Sequence, residues 1–358
     1  MDSATILKEI LEKEKPRKVL LFADSAYEKS GAKEKLSPVL KSFEVEVFSD
    51  IAPNPTLEQI EKGIGACKSF GPDLVVAVGG GSVLDTAKAA NLLAAQEGTP
   101  VSYIKKEKEI AKQGKPLVAI PTTAGTGAEA TRFAVVYIDN IKYSFSHEFL
   151  LPRYAVIDAE LTYSLPPNVT ADSGMDALAQ AIEAFWSTNA TPESKEYSRQ
   201  AIQLILPNFV IAVNSPIPQA REAMAQGAHL AGKAINIAKT TACHALSYPF
   251  TVHYGVAHGH AVGLTLPEMI EYNAKTMEKA DLQELVLLLG AKTPAQAANN
   301  IRSLMQEISL ETTLRELGIT DLRQIQELVL KEVNTERLGN NPRLLAPDDI
   351  RAILAKIF

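Results

Sequence analysis

Cysteine is scarce in this 358-residue chain. Cys67 and Cys243 are the only two, and neither lies in a CxxC pair. No disulfide framework can be built from them, which points to a reducing compartment and a cytoplasmic protein. Long apolar runs are missing as well, so no stretch approaches the roughly 18 apolar residues of a membrane-spanning helix. The N-terminal stretch MDSATILKEILEKEKPRK mixes acidic and basic residues and has no signal-peptide core. Positive charge is not in excess: 36 Lys and Arg stand against 42 Asp and Glu, a formal net charge of −6. With the two signs interspersed, no basic face offers itself to a phosphate backbone, and nucleic acid is excluded as a partner. Internal repeats and low-complexity linkers are absent, and 46% apolar with 22% charged residues is ordinary globular usage. At this length one core gives way to two domains of roughly 150–200 residues.

The two halves follow different patterns. In the first, KVLLFA (18–23), FEVEVFS (43–49), LVVAVGG (74–80), LVAIPTT (117–123) and YAVID (154–158) alternate with helical stretches. That rhythm predicts βα units and a mostly parallel sheet covered on both faces. The segment FAVVYIDNIKYSFS (133–146) predicts a hairpin turning at Asp139-Asn140. After Leu165-Pro166-Pro167 the strands stop, and apolar residues three and four apart predict helices over 169–187, 196–213, 217–237, 259–289, 294–309 and 321–333. Thr293-Pro294 and Ala346-Pro347-Asp348-Asp349 read as helix starts. The expected architecture is an α/β domain over 1–165 and an all-helical domain over 166–358, with a cleft near 165.

Gly79-Gly80-Gly81-Ser82 follows a buried strand and precedes a helix. Glycines let backbone amides reach a ligand, and the helix dipole favours an anion there, so the turn suits a pyrophosphate. Ser82 and Asp85 also have the spacing of a capping pair, which would make the turn merely a well-capped helix start. A second small-residue turn, Thr122-Thr123-Ala124-Gly125-Thr126-Gly127, ends the next strand, again before a plausible helix start. Asp24 follows the first strand and could bind a ribose or simply cap the next helix.

Residues 242–260, ACHALSYPFTVHYGVAHGH, hold four of the six histidines, at 244, 253, 258 and 260. Pro249 and Gly255 argue against one unbroken helix there. With Asp176 from another helix, His244 and His258 would make a two-imidazole, one-carboxylate set suited to Fe²⁺ or Zn²⁺. Each histidine also has an ordinary packing or surface reading.

In order along the chain, GGGSVLDTAK (79–88), IPTTAGTGAEAT (120–131), GMDALAQAIEAF (174–185), His244 in HALSY and AHGHAVGLTLP (257–267) resemble the signatures of the iron-containing, group III alcohol dehydrogenase family. The resemblance runs from about residue 18 to 345. It implies a dehydroquinate-synthase-like fold, a nicotinamide dinucleotide on the α/β half, one divalent metal on the helical half, and a homodimer. Carried over by position, it makes Asp176, His244 and His258 metal ligands. The family's further histidine ligand is replaced by Gln180, a neutral oxygen donor and so less selective for iron. The histidine four residues after His244, associated with proton transfer, is replaced by Tyr248, whose reference pKa near 10 makes it a poorer proton store. His260 is a further proton-relay candidate.

The resemblance also places Asp24, Asn54 and Thr56 near the adenosine half of the coenzyme. Gly80, Gly81 and Ser82 fall at the pyrophosphate, Asp85, Thr122, Thr123 and Thr126 around the nicotinamide half, and Lys142 at its ribose. Asp24 would favour NAD(H) over NADP(H). The family's short first strand with its FGxG-like turn is missing, so either the start is trimmed or Met1 is not the native start.

Stretches around 131–158, 174–187 and 236–262 look most like the branch that reduces phosphonoacetaldehyde, with Arg132, Lys142 and Lys239 as cations for the phosphonate. Three other readings stay open: a generic short-chain alcohol or diol dehydrogenase, a metal-independent reductase like maleylacetate reductase, and a nucleotide-binding protein without catalysis.

Overall fold

The computed structural model describes residues 2–139 and 141–358. The chain falls into two compact units, Met1–Leu165 and Pro166–Phe358.

In the first unit, β1 (Lys18–Ala23), β2 (Glu44–Phe48), β3 (Leu74–Gly79), β4 (Leu117–Pro121) and the short β7 (Tyr154–Ala155) form one sheet in the order β2-β1-β3-β4-β7. Every pair in it is parallel. Strand side chains alternate between faces, and the burial follows that period. Leu20, Phe22, Val75 and Ala77 pack with Ile60, Ile64, Val83 and Ala87 of the Leu57–Phe70 and Gly81–Ala94 helices. Val19, Leu21, Val76 and Val78 pack on the other face with Leu7, Leu11 and Leu36 of the Ser3–Glu14 and Ala32–Leu40 helices. Both faces are therefore core. Phe22 is fully buried, and truncating it to alanine would cost about 3–5 kcal/mol.

Strand order runs outward in opposite directions from β1 and β3, so the carboxyl ends of those two strands flank the switch point where open α/β sheets bind ligands. β5 (Phe133–Ile138) and β6 (Ile141–Ser146) form the separate antiparallel pair expected for 133–146. At its turn Asp139 has φ 51°, while Asn140 lies outside the described residues. Met1, and with it the question of the native start, lies outside them too.

The second unit is helical. The Pro167–Trp186 helix is buried on all sides from Gly174 to Trp186 and packs against the Pro192–Asn214, Pro218–Ala238 and His258–Asn273 helices. Proline at the first helical position opens several helices, with Thr191 and Thr293 hydroxyls capping two of them. One expectation needs correction: the segment 259–289 is two helices, His258–Asn273 and Lys279–Leu288. The stretch 242–260 is not one unbroken helix, as expected; the break is at Gly255, with φ 68°, while Pro249 lies inside the Ala242–Tyr254 helix. Residues 241–250 are all buried, so packing outweighs the missing proline N–H. Among the described residues, no helix is long and apolar enough to cross a membrane.

Candidate metal centre and dinucleotide cradle

Asp176, His244 and His258 each offer one ligand atom, and these atoms lie within 4.8 Å of one another. The Pro167–Trp186 helix supplies the aspartate, the Ala242–Tyr254 helix supplies His244 in its first turn, and His258 opens the next helix. Gly255, in the left-handed conformation that glycine adopts without strain, turns the chain between the two histidine helices. The two imidazole rings meet edge to face at 5.5 Å.

His244 Nε2 is 3.1 Å from Asp176 Oδ1. Burial alone would raise the Asp176 pKa, but the bond to His244, the charges of His258 and His244 and a bond from the Gln180 amide outweigh it and hold it at about 2. A carboxylate that stays ionised in a buried site is ready for a cation. One turn further on, Gln180 Oε1 is buried with no hydrogen-bond partner. Such an atom is costly without a partner, and an oxygen-accepting cation would satisfy it. The donor set thus fits a divalent metal. His258 is only half-buried, whereas Asp176 and His244 are buried.

Glu183, a residue not singled out in the sequence, is fully buried behind His244. Its Oε2 is hydrogen-bonded to His244 Nδ1. Its Oε1 accepts from Thr241 N at 3.2 Å, Thr241 Oγ1 at 2.8 Å and Cys243 N at 2.8 Å. Burial opposes the charge on Glu183, yet His244 and these donors win and lower its pKa; the His244 pKa rises for the reciprocal reason. The i+7 relation of Glu183 to Asp176, two turns along one helix face, was the signal available in the sequence.

The other predicted residues of this unit are placed differently. Tyr248 is buried beneath the Arg337 guanidinium, 5.8 Å from its ring centre, and burial pushes its phenol above the usual value. His260 lies outside the three-residue group: its Nε2 donates to the Glu311 carbonyl at 2.8 Å, and its backbone N–H donates to Asp172 Oδ1 at 2.9 Å. His253 is exposed and pairs with Glu332. Lys239, at φ 62° after the Pro218–Ala238 helix, pairs with Glu336 at 3.5 Å.

In the first unit, Gly79 at the end of β3 stands opposite Pro121 at the end of β4. The two turns therefore touch. A Cβ added to Gly81 would lie 2.7 Å from Thr126 Cγ2, and one added to Gly80 would lie 3.5 Å from Thr123. Thr122 Oγ1 is buried with no hydrogen-bond partner. Asn54, at φ 62°, donates its N–H to Ser82 Oγ at 3.3 Å, so Asn54, Gly80, Gly81, Ser82, Thr123 and Thr126 gather at one strand-end cradle. Bare glycine at a helix start and an unsatisfied hydroxyl fit a dinucleotide phosphate. Asp24 sits just past β1, its Oδ1 accepting from Ala26 N at 2.8 Å.

Two details correct the sequence reading, at Ser82 with Asp85 and after Gly127. The helix begins at Gly81 with extended Gly80 as its cap, so Ser82 caps nothing, and Asp85 instead accepts from Val135 N at 2.9 Å and faces Lys88 at 3.5 Å. After Gly127, at φ 58°, comes a single 3-10 turn, Ala128–Ala130, and no α-helix. Thr56 spends its hydroxyl as the cap of the Leu57–Phe70 helix, paired with Gln59. Burial raises the Asp85 pKa even though the positive charges of Lys88 and, on β6, Lys142 oppose it. Arg132, just before β5, is exposed. Cys67 and Cys243 are buried, free thiols.

A family model for iron-containing alcohol dehydrogenase matches residues 2–159, and one for the C-terminal part of the Fe-containing alcohol dehydrogenase family matches residues 170–358. Long-chain-alcohol dehydrogenase 1 of Geobacillus thermodenitrificans is 34% identical over 353 residues, covering 95% of this chain and 89% of that protein. Phosphonoacetaldehyde reductase of Streptomyces viridochromogenes is also 34% identical, over 311 residues, covering 79% of this chain and 76% of that protein. The crystal structure of sulfoacetaldehyde reductase from Bifidobacterium kashiwanohense in complex with NAD+ superposes with a TM-score of 0.91 at 31% identity, covering 99% of this chain and 94% of that one. With both halves of the chain matched, it belongs to the iron-containing alcohol dehydrogenase family, oxidoreductases that use a nicotinamide coenzyme and a metal.

Proposed function

We propose that this enzyme is a metal-assisted, NAD(H)-preferring reductase of a small aldehyde that carries a tetrahedral oxyacid group, with phosphonoacetaldehyde, reduced to 2-hydroxyethylphosphonate, as the leading case. The observation that carries the chemistry is the convergence of Asp176, His244 and His258 beside the unpartnered oxygen of Gln180. The substrate class draws support from two relatives named for two-carbon aldehydes ending in a phosphonate and a sulfonate.

A divalent metal, Fe²⁺ or Zn²⁺, supplies Lewis acidity toward the substrate oxygen when held by these three residues with Gln180 as a fourth donor. The protein does the rest by placement. Gly80, Gly81 and Ser82 bind the pyrophosphate through backbone amides, Thr122, Thr123 and Thr126 surround the nicotinamide half, and Asp24 accepts from the adenosine ribose. A nicotinamide held there would supply hydride to the carbonyl carbon, and the substrate oxygen would need a proton. Tyr248, a buried phenol, and His260, whose Nε2–H is engaged by the Glu311 carbonyl, are the candidate groups to relay it. Arg132, Lys142 and Lys239 are the cations for the oxyacid end.

A steady-state comparison tests the substrate. Phosphonoacetaldehyde should give a kcat/KM at least about tenfold above that of propionaldehyde, and Arg132→Ala should lower the first more than the second. Equal values for both aldehydes would leave a generic alcohol dehydrogenase, a reading favoured by the 34% identity to the long-chain-alcohol enzyme. Rates unchanged after removal of bound metal would favour the metal-independent reductase.

A further inference from the structure

We infer that Glu183 is the positioning residue of the metal centre: it fixes the proton of His244 on Nδ1 and so presents the Nε2 lone pair beside Asp176. The inference rests on the reading of Asp176, His244 and His258 as ligands. Glu183 is fully buried, and its Oε2 is hydrogen-bonded to His244 Nδ1. A carboxylate can only accept, so Nδ1 must donate, and the other nitrogen, 3.1 Å from Asp176 Oδ1, is the one left for a cation.

Glu183 is itself held. Thr241 N, Thr241 Oγ1, Cys243 N and, at 3.4 Å, His244 N all converge on Oε1. Three of these are backbone amides of the first turn of the Ala242–Tyr254 helix and the residue before it, where the helix dipole favours an anion. Trp186 Nε1 donates to Thr241 Oγ1 at 2.9 Å and steadies that hydroxyl. One carboxylate therefore caps the helix that carries His244 and orients its ring. General experience with such outer carboxylates gives a 10–100-fold effect on metal affinity.

The discriminating substitution is Glu183→Gln. A glutamine of the same shape can still accept the helix-start amides through its oxygen, but its NH₂ must face His244 Nδ1. Nδ1 then accepts, the ring proton moves to Nε2, and the metal-facing nitrogen loses its lone pair. With Zn²⁺ as the probe in a chelator competition, E183Q should bind roughly 10–100-fold more weakly than the wild-type chain. The metal-free Tm should stay within about 5 °C of the wild type. Nitrogen-15 NMR of His244 should show Nδ1–H in the Zn²⁺-loaded wild type and Nε2–H in E183Q. Zn²⁺ affinity in E183Q within about twofold of wild type, or a wild-type His244 protonated on Nε2, would overturn the inference. The second of these needs no variant, so an unfolded E183Q does not shelter it. If the wild-type chain itself takes up no Zn²⁺, the ligand reading fails first.

Discussion

His244 Nε2 faces Asp176 Oδ1 at 3.1 Å across the join of two helices, and His258 brings its ring edge to face against the first imidazole. Removing one member of this group should remove the metal and spare the fold. His258→Ala, at a half-buried position, is expected to cut bound metal measured by emission spectrometry to below about a tenth while the circular dichroism spectrum is unchanged. Normal metal content in that variant would take His258 off the ligand list.

Gln180 is the position where chemistry can be added. Its Oε1 is buried and unpartnered. Gln180→His should tighten Fe²⁺ and Zn²⁺ binding by about tenfold or more, because imidazole is the better donor for both. Gln180→Leu should weaken them. Identical affinities in all three proteins would place residue 180 outside the coordination sphere.

Asp24 follows β1 at the switch point, where an acidic side chain accepts from a ribose and repels a 2′-phosphate. NADH should give the higher kcat/KM, and Asp24→Ser should narrow the gap to NADPH by about tenfold. A wild-type preference for NADPH would refute the assignment.

At Gly81 the limit is space. The added methyl of Gly81→Ala would lie 2.7 Å from Thr126 Cγ2 and 2.9 Å from its Oγ1. Overpacking of this kind costs about 1–3 kcal/mol and would push the two turns of the cradle apart. NADH affinity, followed by fluorescence quenching, should fall by at least about tenfold, and metal content should not change.

Acid stability has a definable contributor in Asp158. Burial would raise its pKa, but bonds from Ser3 N at 2.9 Å and Ser3 Oγ at 2.6 Å, with Lys35 at 3.0 Å, outweigh that and lower it. A lowered folded pKa means the charged carboxylate stabilises the fold at neutral pH, and this stabilisation is lost as pH falls from about 4 through the folded value. The urea midpoint of the wild type should therefore drop between about pH 6 and pH 3, and Asp158→Asn should flatten that drop. An equal slope in both proteins would contradict it.

The sequence made the parallel sheet legible because its central strands β1, β3 and β4 are buried on both faces and read as continuous apolar runs. The Pro167–Trp186 helix was legible through its apolar spacing. Two features escaped for physical reasons. A buried proline such as Pro249 is judged by the packing around it, which local pattern does not carry. Ser82 and Asp85 matched a capping pair by spacing, yet Gly80 can adopt the extended backbone of a cap itself, releasing both side chains for long-range partners, Asn54 and Val135. Asp176, His244 and His258 stood out by residue type. Glu183 did not, because a carboxylate in a helical run announces nothing until the facing helix start is seen to converge on it.

Along the Pro167–Trp186 helix, Asp172, Asp176, Gln180 and Glu183 follow one another at intervals of about one turn. Asp172 accepts from the start of the His258 helix, Asp176 and Glu183 grip His244 from opposite sides, and Gln180 alone has an oxygen with no second duty. The helix thus acts as a rack with three fixed rungs and one exchangeable rung. In the proposed centre, a substitution at residue 180 should therefore change metal preference without re-seating either histidine.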